Sequence, residues 1–299
     1  MSHHHEHENH GHHHHEHSHT EAGHNHNHHH HHDRPPHRPG PPVTEGEKVL
    51  VIRPNSGISG DIMVAGLAAL AETDEAEMEK MLADLNLPEL KGKIRLSEKL
   101  VNEVRGSALV VELPDEHEHR TFSDIEVMIQ KMTISDKAKH LALKTFTILA
   151  DAEGAVHGRR PEDVHFHEVG ALDSIMDIGL ASVLLASLAP DRVICGPLPI
   201  CDGVIRCQHG LMVSPAPAVM RMLPGVPVTA LDSRGETVTP TGLALLKGFE
   251  AEFGAWPDIT IERQSLAYGT KYFEGVPNGA LFALGQGHGL VAEPGMRMG

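Results

Sequence analysis

The sequence predicts an α/β fold, a mixed sheet with flanking helices preceded by a disordered His-rich arm, and three observations carry this reading. Short β-like runs alternate with helical repeats from residue 48 onward, the pattern of strands linked through helices. Two turns of small polar residues and glycine, 54–60 and 239–242, each stand between a strand-like and a helix-like run. Residues 1–45 lack apolar periodicity altogether, so they cannot pack a core.

The arm, 1–45, holds nineteen of the 27 histidines, including His12, His13, His14, His15, His28, His29 and His30. Glu6, Glu8, Glu16, Asn9, Asn25 and Asn27 interrupt it, unlike an expression tag. Histidine is weakly charged at neutral pH and is the commonest metal ligand, so the arm reads as metal-binding. The Pro-rich stretch 34–42 reads as a stiff linker. A folded domain over 46–285 and a short flexible tail over 286–299 complete the expected organisation.

Within the domain, 49–52 reads as a strand, 54–60 as a turn and 61–71 as a helix with Asp61 as its cap. Two β-like runs, 94–96 and 108–113, precede helices at 122–132 and 135–154; the second carries Ala138, Leu141, Thr145, Ile148, Leu149 and Ala152 near helical spacing. A strand at 164–169 leads into a largely buried helix ending at 188. Strands at 192–194 and 203–207, a helix at 217–223, a strand at 226–230 and a helix at 243–253 follow. The last third, 259–284, alternates toward strand and leaves α+β open.

The chain has 299 residues, 40% hydrophobic, with 25 basic against 41 acidic side chains and a net charge of −16. That balance argues against nucleic acid as a partner and favours cations. The chain has no apolar run long enough to span a membrane, and its His- and Glu-rich start is neither secretory nor transit-like, so a cytoplasmic location is expected. Cys195, Cys201 and Cys207, odd in number and without CxxC spacing, read as free thiols.

The chemistry concentrates in Val164-His-Phe-His-Glu-Val-Gly-Ala-Leu-Asp-Ser-Ile-Met-Asp177, which sets two imidazoles and three carboxylates in an otherwise apolar segment. As a strand it places His165 and His167 on one face and Glu168 on the other. With a helix beginning near Asp173, Asp177 follows one turn later, and two such charges call for a cation or for hydrogen bonds that order the fold. The turn Ser56-Gly57-Ile58-Ser59-Gly60-Asp61 can point backbone amides at an anion, or can simply be a capped tight turn. Thr239-Pro-Thr241-Gly242 is its counterpart, and two such turns in one sheet can bind a phosphate from opposite sides. His117-Glu-His119 repeats the His-x-His spacing, as ligands or as a solvated loop. Cys207-Gln-His209 suits a borderline metal such as nickel or zinc, unless the cysteine is inert and buried. There is no Gly-x-Ser-x-Gly elbow, and no His-Glu-x-x-His outside the His-rich arm, which leaves hydrolase readings little support.

Together with His117-Glu-His-Arg-Thr-Phe122, Val156-His-Gly158 and Val213-Ser-Pro-Ala-Pro217, these segments occur in the order found in nickel insertion proteins of the LarC family, which the chain resembles over roughly 48–284. The resemblance implies a nickel chelatase or cyclometallase-type lyase. Such a protein places Ni(II) into pyridinium-3,5-bisthiocarboxylic acid mononucleotide, forming one carbon–nickel and two sulfur–nickel bonds, with CTP and Mn(II) or Mg(II) required, to make the nickel-pincer cofactor of lactate racemase. It implies metal contacts from His165, His167, Glu168, Asp173, Asp177, Cys207, His209, His117 and His119, with the arm gathering nickel. It also implies a mononucleotide site at Ser56, Gly57, Ser59, Gly60, Asp61, Thr239, Thr241 and Gly242, and catalytic roles for Glu168, as the base taking the ring proton, and Asp61. The family commonly has an acidic residue where this chain has Arg53, and full-length relatives continue beyond the equivalent of Leu284 into a domain associated with CTP. Expected partners are therefore a separate C-terminal nucleotide-binding domain and apo lactate racemase or a related racemase. The rival reading is a non-catalytic nickel storage or delivery protein, a metallochaperone.

Overall fold

A run of aliphatic residues buried on both sides, Val49 to Ile52, forms the middle of the sheet, as expected of a central strand covered on both faces. The computed structural model describes residues 40–112, 120–166, 170–207 and 210–288, without the side chains of Arg206 and Cys207. In chain order the elements are β1 (Lys48–Pro54), α1 (Gly60–Leu70), α2 (Glu75–Asp84), β2 (Ile94–Val101), β3 (Val104–Val111), β4 (Arg120–Thr121), α3 (Phe122–Lys131), α4 (Asp136–His157), β5 (His165–Phe166) and α5 (Leu172–Leu188). Then come β6 (Arg192–Cys195), β7 (Leu198–Ile200), β8 (Gly203–Cys207), β9 (Gly210–Ser214), α6 (Pro217–Met222), β10 (Val228–Ala230), α7 (Pro240–Gly248), β11 (Glu252–Phe253), β12 (Ile259–Ala267) and β13 (Ala280–Gly287).

The main sheet has seven strands in the order β11-β6-β1-β13-β12-β3-β2. It is mixed: β11, β6 and β1 run parallel, whereas β13 lies antiparallel to both β1 and its hairpin partner β12. That hairpin is the source of the strand-rich last third. Leu50, Ile52, Phe282 and Leu284 face the large core shared with α1, α4, α5 and α7, while Val49, Val51, Ile194 and Ala283 form a smaller cluster on the other face. Helix α5 is buried on nearly every side, between α1, α4 and α7 with α2 alongside, which is why its apolar residues form a run rather than a stripe. Among the described residues no helix is long and apolar enough to cross a membrane.

Several expectations are corrected. Helix α7 begins at Pro240, not Leu243, because Thr239 is its N-cap, its Oγ1 accepting from Gly242 N at 3.1 Å, and Pro240 fits the first turn. It ends at Gly248, and a left-handed Glu250 (φ 56°) turns the chain into β11, so Phe253 is strand. Asp61 is not the cap of α1; that position is Ser59, and Asp61 sits in the first turn. Four elements, α2, β4, β7 and β9, carry no expectation above. Helix α2 buries only Met78 and Leu82 and is started by a capping box of Asp74 and Glu77. Strand β9 closes a hairpin with β8. Of the strand expected over 164–169, His165–Phe166 is strand, and 167–169 lie outside the described residues. Residues 40–46 lie against the sheet: Arg192 Nη1 donates to Pro42 O at 2.6 Å, and Gly46 N to Gly287 O at 2.8 Å.

Candidate functional site

The turn after β1 and the turn before α7 are one structure. Ile58 and Val238 form an isolated parallel bridge, with Ile58 N donating to Thr237 O at 2.9 Å and Thr239 N to Ile58 O at 3.1 Å. The contact requires two glycines. Gly57 (φ +129°) lies against the Thr237 carbonyl, and a Cβ on Gly242 would stand 2.5 Å from Ile58 O. Helices α1 and α7 therefore start side by side. Gly60, the first residue of α1, packs on the carboxylate of Asp177 in the second turn of α5, which brings a third helix start to the same place.

These three starts line one side of a cleft of about 330 Å³, through Ser59, Gly60, Asp61, Asp173, Asp177, Thr239 and Thr241. The wall also carries Lys99 from β2 and Tyr268, Thr270 and Lys271 from the loop between β12 and β13. Its charge is therefore mixed, with carboxylates from α1 and α5 and ammonium groups from β2 and the β12–β13 loop. Asp177 Oδ1 is buried with no hydrogen-bond partner. Burial, then the nearby Asp61 and Asp173, push the Asp177 carboxyl well above the usual carboxylate range. Ser59 Oγ donates to Asp61 Oδ1, and Ser174 N donates to Asp173 Oδ1 at 2.7 Å. Lys99 Nζ donates to Gly269 O at 2.6 Å, and Lys271 Nζ pairs with Glu236 at 2.9 Å.

Of the residues expected to hold the mononucleotide, Ser56, Ser59, Gly60, Asp61, Thr239 and Thr241 line this cleft, whereas Gly57 and Gly242 are not on its wall and serve the contact between the two turns. Ser56 is buried, and its hydroxyl accepts from Gly279 N at 2.9 Å, tying the β12–β13 loop to the turn. Asp173 and Asp177 line the cleft; His165 does not. It is exposed on β5 beside a recess of about 50 Å³ shared with His157, Arg159 and Val164. Strands β4 and β5 pair Arg120 with Phe166 and Thr121 with His165, and Arg120 Nη1 donates to Gly170 O at 2.7 Å, just ahead of α5. The described residues that directly follow His119 and directly precede His167 are thus neighbours across one ladder, close in sequence to Asp173. His117, His119, His167, Glu168 and His209 lie outside the described residues, as does the arm to residue 39, and Cys207 is described only by its place opposite Gly210. Among the described residues no group of three or more His, Cys, Asp or Glu side chains is arranged to hold a metal ion.

Lys99, Tyr268, Lys271 and Glu236 carry no motif, and sequence reasoning missed them; Lys99 meets a carbonyl 170 positions away. Arg53 is not on the cleft wall. Its Nη1 donates to Gly254 O at 2.6 Å and its guanidinium lies 4.8 Å from the Trp256 ring centre, so the side chain takes no part in the cleft lining.

A sequence model of the family described as "Nickel insertion protein" matches residues 50–293. The pyridinium-3,5-bisthiocarboxylic acid mononucleotide nickel insertion protein of Desulfitobacterium hafniense (strain DSM 10664 / DCB-2) is 37% identical over 216 residues, 72% of this chain and 53% of that protein. The protein of the same name from Staphylococcus epidermidis (strain ATCC 12228) is 34% identical over 227 residues, 76% of this chain and 57% of its own. The Staphylococcus saprophyticus protein of that name is 33% identical over 221 residues, 74% and 56%. The chain thus spans rather more than half the length of these relatives. No solved structure matches the chain.

Proposed function

The chain belongs to the family of nickel insertion proteins, and from that premise we propose that it takes part in placing Ni(II) into pyridinium-3,5-bisthiocarboxylic acid mononucleotide. One observation supports this reading above the others: three helix starts converge on a cleft that holds an orphaned carboxylate oxygen, Asp177 Oδ1, and two lysines. The cationic pyridinium ring and the incoming metal face Asp61, Asp173 and Asp177. The phosphate faces the start of α7, which has no acidic residue in its first turn and presents Thr239 and Thr241.

Nickel is here a substrate. In the product its bonds are one to the ring carbon and two to sulfur, so the organic ligand supplies three donors and the protein needs few. That accounts for a metal-handling cleft without a full protein donor set. The step is redox-neutral: the ring C–H bond breaks, a C–Ni bond forms, and the proton leaves to a base. We assign that base to Glu168 and a supporting role to Asp61. His165, His167, His117, His119, Cys207 and His209 deliver the ion collected by the arm. The hard oxygen donors of Asp61, Asp173 and Asp177 also suit Mn(II) or Mg(II). We assign CTP to the part of the relatives' length that this chain does not span, supplied by a separate domain, and the loaded cofactor to lactate racemase or a related enzyme.

The nineteen arm histidines favour a second reading, nickel storage or delivery without insertion. Nickel stoichiometry with residues 1–37 removed separates the two. The insertion reading expects about one tight Ni(II) to survive and to be lost in His165→Ala with His167→Ala. Loss of all tight nickel with the arm would establish storage instead.

A further inference from the structure

We infer that Lys99 and Lys271 divide the anionic groups of the pyridinium mononucleotide between them, Lys99 reading a ring carboxylate or thiocarboxylate and Lys271 reading the phosphate. The inference rests on the proposed use of the cleft and goes beyond it by naming what sets ligand specificity.

Lys99 belongs to the acidic end. Its ammonium donates to Gly269 O at 2.6 Å. Gly269 sits so close to α1 that a Cβ there would stand 3.0 Å from Ile62 Cδ1 and 3.5 Å from Asp61 Oδ2. One of the three ammonium hydrogens is used on Gly269, and the others are left for a ligand. An ammonium held on Gly269, which itself packs on α1 at Ile62 and Asp61, meets the substituents of the ring whose positive charge the carboxylates attract.

Lys271 belongs to the other end. It pairs with Glu236, and from Glu236 the chain runs through Thr237 and Val238, which dock on the Ile58 turn, to Thr239, the cap of α7. The Lys271 side chain is 54% exposed and that of Glu236 only 18%, so the lysine is the more accessible partner, held by Glu236 until an anion competes for it. The cleft wall thus carries ammonium groups at Lys271 and Lys99 together with the carboxyl groups of Asp61, Asp173 and Asp177. A phosphate, a pyridinium and a ring carboxylate offer the matching opposite charges, which is electrostatic complementarity of the kind that sets specificity.

The test is calorimetric titration of the full chain with nicotinic acid mononucleotide, with nicotinic acid riboside, which lacks the phosphate, and with nicotinamide mononucleotide, whose amide replaces the carboxylate. Lys271→Met is expected to weaken the two mononucleotides about tenfold or more and to leave the riboside unchanged. Lys99→Met is expected to weaken the two acid ligands by about the same factor and to spare the amide. Lys99→Arg and Lys271→Arg, which keep the charge and guard against a folding defect, are expected to retain most of the binding. Wild-type discrimination between the ligands with no selective loss in either Met variant overturns the lysine assignment alone. A wild-type chain that treats mononucleotide and riboside alike overturns both the assignment and the proposed use of the cleft.

Discussion

Ile58 and Val238, 180 positions apart in the chain, form a parallel bridge that makes the turn after β1 and the turn before α7 a single surface. Everything assigned to the cleft depends on that contact, because it aligns the starts of α1 and α7.

The contact leaves no room for a side chain on Gly242. A Cβ there would meet the Ile58 carbonyl at 2.5 Å, and a backbone atom cannot swing aside. Gly242→Ala is expected to lower stability in urea unfolding by about 1–3 kcal/mol and to weaken mononucleotide binding in the same protein. Unchanged values of both would mean that the two turns separate at little cost.

Asp177 gives the metal-free protein a pH signature. Its folded pKa is raised by burial first and then by Asp61 and Asp173. A raised pKa contributes stability below the unfolded value, near 3.9 for a free aspartate, and that contribution is lost as pH rises through the folded value. In EDTA the melting temperature is therefore expected to lose this contribution with increasing pH. Asp177→Asn, which cannot ionise, should flatten the profile and melt above the wild type at the alkaline end. Parallel profiles would contradict the assignment.

Cys195 lies buried, and its thiol is pushed up to about 12 by that burial. At pH 8 its thiolate fraction is on the order of one in ten thousand. Iodoacetamide followed by peptide mass mapping should leave Cys195 unmodified in the native chain and label it after denaturation. Rapid native labelling would show that this part of the sheet opens.

Arg53 is a half-buried cation with poor compensation. Burial lowers its pKa, and Nε and Nη2 have no hydrogen-bond partner. Arg53→Met keeps the aliphatic stem and removes the charge, so stability in urea is expected to stay within about 1 kcal/mol or to rise. Mononucleotide binding should not change, since the side chain is off the cleft. A loss above that range would assign Arg53 a larger structural role through Gly254 and Trp256.

Much of this architecture is legible in local pattern. The aliphatic run at 49–52, the apolar helix α5 and the glycine turns at 54–60 and 239–242 announce themselves, because propensity and burial act over a few residues. Asp173 and Asp177 were visible for the same reason, as charges in an apolar run. What pattern could not give is juxtaposition. Nothing near Lys99 or Lys271 marks them as facing α1 and α7, since each arrives through sheet pairing set far away in the chain. Helix α2 hid because only Met78 and Leu82 are buried, although Asp74 and Glu77 form a capping box that signals its start. Gly57 and Gly242 read in the sequence as ligand contacts, and in space they serve one turn's approach to another.

Nickel insertion itself is read most directly by incubating the purified chain with the dithiolated pyridinium mononucleotide, Ni(II), Mn(II) and CTP, with the remaining portion of a relative added in trans, and following the nickel–pincer absorbance with mass spectrometry of the organic product. The expected result is a product that retains nickel and has lost one ring proton, formed by the wild type and strongly reduced in Asp61→Asn. A mononucleotide recovered without carbon-bound nickel, while the arm remains saturated with the metal, would contradict insertion and leave this chain a nickel carrier.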